Sequence, residues 1–108
     1  MHELQPEYEA SYQNLKNAVI AYSESGENSK EVQDALIKHY KLADQMGVRH
    51  IDAQLLEGCD NGDQSAITQL IGIERSFQNR RLLTCRSDEE LAQINLNISA
   101  YDKLLQAV

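Results

Sequence analysis

Three histidines are the first residues to consider for chemistry, because their spacing decides whether they hold a metal ion. His2, His39 and His50 lack the four-residue helical spacing of a zinc pair, and no carboxylate stands where it would share a metal with them. His39 follows the buried side of its predicted helix, where a single histidine is typically a hydrogen-bonded residue at the core edge. We therefore expect no metal site and no histidine catalysis.

Other signatures of catalysis and cofactor binding are missing from the sequence. The stretch "DNGDQS" at residues 60–65 has the oxygen ligands of a calcium loop but not the glutamate that closes an EF-hand. The chain has no glycine-rich phosphate loop, nucleophile elbow or Cys-x-x-Cys. We expect a non-catalytic protein without a cofactor. An enzyme that builds a site for a small molecule from scattered residues is a third alternative.

A basic group stands out in this acidic chain and consists of Arg75, Arg80, Arg81 and Arg86. Positive side chains near the end of a helix complement its dipole, and their stems cover apolar surface. Arg81 follows Phe77 by four residues and so lies beside the predicted buried stripe, where it needs a carboxylate or another partner. Because arginine is enriched in interfaces, we identify this group as the candidate protein-contact surface.

Tyrosines near the N-terminus add to this candidate surface. Tyrosine outnumbers phenylalanine five to one, and Tyr8, Tyr12 and Tyr22 fall on one face of the first predicted helix. An aromatic ring with a polar tip suits a core edge or a binding surface. Tyr8 and Tyr12 are therefore candidate contact residues, and the core face of the first helix is the alternative. Both roles would hold if that helix met a second copy across a dimer axis.

The net charge of −7 arises mainly from the N-terminal third of the chain. Residues 1–36 carry seven acidic side chains against Lys16 and Lys30, whereas residues 64–108 balance five basic with five acidic residues. Such a field repels phosphate backbones and favours basic partners. We expect no non-specific binding to nucleic acid.

The elements that must position these residues are predicted to be helices. Apolar residues recur at four- and three-residue spacing along 6–24 and from a capping box at Asn28 and Glu31 to Gly47. The same spacing continues over about 65–85, and again from a second capping box at Ser87 and Glu90 to the C-terminus. The chain is therefore predicted to be all-α, a small four- to five-helix bundle of two helical hairpins with a short connecting helix.

The stretch "LADQMGVRHIDAQLLEG", residues 42–58, forms the corner between these hairpins. Over about twenty residues, the spacing of its small and apolar side chains resembles that of the helix-turn-helix family. These side chains are Ala43, Gly47, Val48, Ala53 and Leu56. The resemblance implies a DNA-binding regulator whose recognition helix offers Arg49, His50, Asp52 and Gln54 to base edges.

A Schellman cap explains part of the same pattern without DNA. In this interpretation Gly47 ends the second helix in the left-handed conformation, and Val48 packs back on the last turn. The charges of Lys38, Lys41 and Arg49 are cancelled over residues 38–57 by acidic side chains, whereas DNA binding favours a surplus of basic residues. A helix corner is the preferred interpretation, and DNA binding is the alternative.

Length and composition complete the expectation. A chain of 108 residues with one proline and no long apolar run predicts a single domain, residues 1–108, with no membrane span or signal peptide. Two cysteines, Cys59 and Cys85, fit a cytoplasmic protein as free thiols, although spacing alone leaves a disulfide open. The leading hypothesis is a cytoplasmic protein-interaction domain that acts as an adaptor, chaperone-like or inhibitory protein, with homodimerisation as one form of contact.

Overall fold

Five helices make up the fold in a computed structural model that describes residues 3–107. They are α1 (Gln5–Ser25), α2 (Ser29–Gln45), α3 (Ala53–Asp60), α4 (Gln64–Arg81) and α5 (Asp88–Ala107). No strand occurs among the described residues. The prediction of a small all-α bundle is confirmed. Val108, predicted to end the last helix, and His2, considered as a metal ligand, lie outside the described residues.

Two antiparallel hairpins pack against each other through all four long helices. α1 pairs with α2 and α4 pairs with α5, while α1 also contacts α5 and α2 contacts α4. The short helix α3 bridges the hairpins and packs on α4 and α2. Gly58 allows the close approach of α3 to α4, because a Cβ at this position would lie 2.9 Å from the Cβ of Ala66.

One hydrophobic core receives side chains from every helix, including Leu15, Leu36, Leu56, Leu70 and Leu104. The largest fully buried side chains are two tyrosines from opposite hairpins, Tyr40 of α2 and Tyr101 of α5. A buried tyrosine hydroxyl needs a hydrogen-bond partner. The core centre therefore requires polar groups as well as apolar ones.

The turn after α2 is a Schellman motif, as predicted. Gly47 has a φ of 71°, its N–H donates to the Asp44 carbonyl at 3.0 Å, and the Val48 N–H donates to the Ala43 carbonyl at 2.9 Å. The predicted packing of Val48 on the last turn is wrong, since Val48 is 54% exposed. The chain leaves the turn with Val48 outward and Arg49 inward.

Two predicted helix ends also differ from the structure. Asn28 has a φ of 68° and makes no side-chain cap; its carbonyl accepts the Glu31 N–H, because the short α1–α2 connection uses its left-handed backbone to reverse the chain. α4 ends at Arg81 and not near Cys85, since the Leu83 and Thr84 N–H groups donate to carbonyls three residues back and turn the chain toward α5.

Of the two hydrogen bonds of the predicted capping box at Ser87 and Glu90, the one to the serine side chain is confirmed. The Ser87 hydroxyl accepts the Glu90 N–H at 3.1 Å. The Glu90 carboxylate lies 3.7 Å from the Arg81 guanidinium on α4 and so links the two helices of the second hairpin.

Candidate functional site

Glu74, in the middle of α4, is the centre of a buried polar network. It is 4% exposed, and its Oε1 accepts hydrogen bonds from the Tyr40 hydroxyl at 2.7 Å and from Arg49 Nη1 at 3.3 Å. Its Oε2 accepts from Gln78 Nε2 at 3.1 Å. We call Tyr40, Arg49, Glu74, Gln78 and Asn97 the Glu74 cluster. It joins α2, the α2–α3 connection, α4 and α5.

Arg49 reaches this network from the turn that follows α2. Its guanidinium carbon lies 3.5 Å from the ring centroid of Phe77 and 5.0 Å from that of Tyr40, and Nη1 donates to the Tyr40 hydroxyl at 2.5 Å. Its side chain is 18% exposed. Stacking on two rings and pairing with a carboxylate compensate for much of the lost hydration of this cation.

Amide side chains extend the network toward the end of the second hairpin. Gln78 Oε1 accepts from Asn97 Nδ2 and from Arg81 Nη1, both at 3.1 Å. Asn97 Oδ1 in turn accepts from Gln93 Nε2 at 2.9 Å. Among residues 3–107, no buried side-chain nitrogen or oxygen lacks a hydrogen-bond partner. The network is therefore rigid and complete in its internal bonding.

His39 and Ser11 form a second buried polar contact beside the Glu74 cluster. The Ser11 hydroxyl donates to the Tyr8 carbonyl at 2.7 Å and lies 2.9 Å from His39 Nδ1, and the Tyr8 ring stacks on the imidazole at 4.9 Å. Because the hydroxyl has only one proton, the hydrogen-bond pattern assigns the imidazole proton to Nδ1. Ser11 is therefore an acceptor toward His39, the reverse of a nucleophile activated by a base.

Burial shifts the titration of the groups in this region. Desolvation first, and the nearby Arg49 charge second, lower the pKa of His39 to about 4, so the imidazole is neutral at pH 7. Burial, followed by the charge of Glu74, raises the pKa of Tyr40 and that of Tyr101. Both hydroxyls stay protonated, and Tyr40 serves as a donor to the carboxylate.

A cavity of about 270 Å³ lies beside the Glu74 cluster between α1, α2, α4 and α5. We call it the central cavity. Its walls include the following polar or aromatic side chains: Tyr12, Lys16, His39, Glu74, Arg81 and Asn97.

A separate groove of about 440 Å³ runs along α4 and the α2–α3 connection. We call it the Ile73 groove. Its apolar lining consists of Tyr8, Val48, Ile51, Ile73 and Phe77, and Arg49, His50 and Arg80 complete it. Val48 is 54% and Ile73 37% exposed, so apolar side chains that are distant in sequence form one accessible surface. Ile73 follows the apolar spacing that predicts a buried stripe over about 65–85, yet it lies partly at the surface.

The structure divides the predicted basic group. Arg75 donates from Nε to Asp102 on α5 at 2.5 Å, which raises the pKa of Arg75 through the hydrogen bond and the carboxylate charge. Arg81 is partly buried and has the partners that its position required, Gln78 and Glu90. Arg80 and Arg86 are exposed.

The two candidate tyrosines lie on the same side of α1. Tyr8 is half-buried on His39 and lines both the central cavity and the Ile73 groove. Tyr12 is 42% exposed and lines the central cavity. Tyr12 is therefore not a core residue.

The candidate DNA contacts differ in their exposure and partners. Arg49 faces the Glu74 cluster, whereas His50 and Gln54 are exposed. Asp52 accepts the Gln54 N–H at 2.8 Å and caps α3. The connection spans residues 46–52, longer than the roughly three to four residues of a helix-turn-helix turn.

Metal and disulfide chemistry receive no support from the geometry. Within the described residues, no group of three or more His, Cys, Asp or Glu side chains could hold a metal ion. Cys59 is buried and Cys85 partly buried, and both are free thiols. In "DNGDQS", Asp63 accepts the Ser65 N–H at 3.0 Å and caps α4.

Three central residues of the site were missed by the sequence analysis, namely Glu74, Gln78 and Asn97. The buried stripe of α4 passes through Glu74 and Gln78, which stand four residues apart behind Leu70. The sequence did contain a signal for Glu74 and Gln78. Helical periodicity places positions 67, 70, 71, 74 and 78 on one face of α4, if polar residues are allowed on the inner face.

Comparison of the chain with protein-family models, with curated proteins and with solved structures finds no match. The site geometry is therefore the basis for the functional argument. None of the described helices combines the length and the apolar character required to cross a bilayer.

Proposed function

We propose that this chain is a non-catalytic protein-interaction domain that binds an acidic, amphipathic helical segment of a partner protein in the Ile73 groove. The observation that carries the proposal is the convergence of Val48 and Ile73, both more than a third exposed, on one groove beside Arg80. Accessible apolar patches on small domains commonly mark contact sites. A helix laid in such a groove buries side chains at positions i and i+4.

The charge of the groove indicates the chemistry of the partner. Its described lining contains Arg49, His50 and Arg80 and no carboxylate, although the chain as a whole has a net charge of −7. Arg49 is already paired with Glu74, which leaves Arg80 as the exposed cation on the rim. An acidic side chain beside the apolar anchors of the partner would complement Arg80.

A second copy of this chain is the competing occupant of the groove, because α1 itself carries acidic residues. A cytoplasmic location is part of the proposal, and the two free thiols are consistent with it. DNA binding is less well supported, since Arg49 would have to leave Glu74 to reach a base. Catalysis is also less well supported, since the Ser11 proton is already bonded to a carbonyl.

Peptide selection with matched variants tests the groove. Amphipathic helical peptides from a displayed library would be selected on the wild-type protein, and their Kd values would be measured by fluorescence anisotropy on Ile73→Asp and Arg80→Glu. The controls are Leu91→Asp and Arg86→Glu, because Leu91 is 38% exposed on α5 and Arg86 is exposed away from the groove.

We expect the selected peptides to place acidic beside apolar residues. Binding should weaken at least about tenfold in Ile73→Asp and about fivefold in Arg80→Glu, and change less than about twofold in the controls. Peptides that bind Ile73→Asp as well as the wild type would refute the proposal. A dimer in light scattering that dissociates in Ile73→Asp would assign the groove to a second copy.

A further inference from the structure

The lining of the central cavity contains more basic than acidic side chains. Lys16, Arg49 and Arg81 line it, together with the single carboxylate of Glu74. Arg49 pairs with Glu74 and Arg81 pairs with Glu90, whereas Lys16 forms no ion pair among residues 3–107 and is left as the uncompensated cation. Cationic walls around a partly enclosed space attract a small anion and hold it.

The remaining walls are suited to a flat apolar body. Tyr12, which is 42% exposed, and the partly buried Phe77 contribute accessible aromatic surface, whereas Leu15, Val19 and Tyr101 are at most 5% exposed. The volume of the cavity is about 270 Å³. This space is below the range of drug-sized ligands and is suited to a molecule built on one ring.

We propose that the central cavity binds a small aromatic carboxylate, with the carboxylate toward Lys16 and Arg81 and the ring against Tyr12 and Phe77. Inorganic phosphate would satisfy the cations but would gain nothing from the apolar walls, which is why we favour a carboxylate on a ring. The central cavity adjoins the Ile73 groove and shares Tyr8, Arg49 and Phe77 with it, but this proposal does not rest on the proposed function.

A titration with benzoate tests this site. Sodium benzoate, benzamide and inorganic phosphate would be added separately to the ¹⁵N-labelled protein, and amide shifts would be followed by NMR. We expect benzoate to bind with a Kd below about 1 mM and to shift amides of α1 and α4 near the cavity. Benzamide, which has the same shape without the charge, should bind at least about tenfold more weakly.

Lysine variants locate the charge that is responsible. Lys16→Met should weaken benzoate binding at least about fivefold, whereas Lys103→Met should leave it within about twofold, because Lys103 is exposed on α5. Circular dichroism would verify that both variants fold. Arg81→Met provides a second test if Lys16→Met fails to fold.

Three results would overturn the proposal. These are no cavity shifts with benzoate up to about 10 mM, equal affinity for benzamide, or unchanged affinity in folded Lys16→Met or Arg81→Met. Phosphate that binds as tightly as benzoate at the same amides would show a general anion site and would overturn the assignment to aromatic carboxylates. None of these results would count against the proposal that the Ile73 groove binds a peptide, which is tested separately with Ile73→Asp.

Discussion

Protonation of His39 should control the stability of this fold below neutral pH. The imidazole is 4% exposed, and its pKa is lowered from 6.5 to about 4 by desolvation and by the Arg49 charge. The unfolded chain therefore takes up the His39 proton at a higher pH than the folded chain does. The stability from this group is fully present above pH 6.5 and is lost as the pH falls toward 4.

The magnitude follows from the two pKa values. A separation from 6.5 to about 4 corresponds to about 3 kcal/mol between the fully neutral and fully protonated limits. Linkage places about 2 kcal/mol of this loss between about pH 7 and pH 5. Most of the effect thus falls above the range in which ordinary carboxylates titrate.

Urea unfolding of three proteins measures this effect. His39→Asn removes the titration and keeps an amide N–H to donate toward the Ser11 hydroxyl, and His50→Asn is the exposed control. The free energy of unfolding of the wild type and of His50→Asn should fall by about 2 kcal/mol more than that of His39→Asn between about pH 7 and pH 5. Carboxylate titrations are common to all three proteins and cancel in the comparison.

Parallel pH profiles would refute this reasoning. If the wild type and His39→Asn differed by the same free energy at both pH values, to within about 0.5 kcal/mol, protonation of His39 would not be linked to folding. An NMR titration of the His39 ring gives the direct check, with a midpoint expected at about 4.

Two further predictions concern the turn after α2 and the Glu74 cluster. Gly47→Ala should destabilise the fold by about 1 kcal/mol because Gly47 has a φ of 71°. Gly72→Ala should stabilise the fold by about 0.5 kcal/mol, because Gly72 lies inside α4 with open space around its Cβ position. Changes of the same sign in the free energy of urea unfolding would contradict this prediction. Glu74→Ala leaves Arg49 without its carboxylate and should destabilise the fold by about 3 kcal/mol. The control Glu57→Ala, at an exposed position, should cost less than about 0.5 kcal/mol. Equal losses of stability in the two variants, measured by thermal and urea unfolding, would show that the buried pair contributes little.

Local features of the chain predicted its helices, although not every helix end. The spacing of Leu15, Val19 and Tyr22 on α1 predicts one buried face, and all three are buried. Gly47 predicts the Schellman turn, and Arg81 beside the core predicts the need for a partner, which the structure provides as Gln78 and Glu90. Helix periodicity and caps are readable because they depend on residues within one or two turns.

The functional geometry depends on contacts between helices, and these were decided only by the tertiary structure. The helix-turn-helix alternative placed Arg49 toward DNA bases, yet Arg49 lies against Glu74, which is 25 positions away in the chain. Apolar character alone predicts that Ile73 is buried and that Glu74 is exposed. In the packing of α4 against α2 and α5, Glu74 is buried and Ile73 is 37% exposed. Periodicity identifies a face of a helix, but the hydrogen-bond partners of a buried carboxylate depend on which helices meet that face.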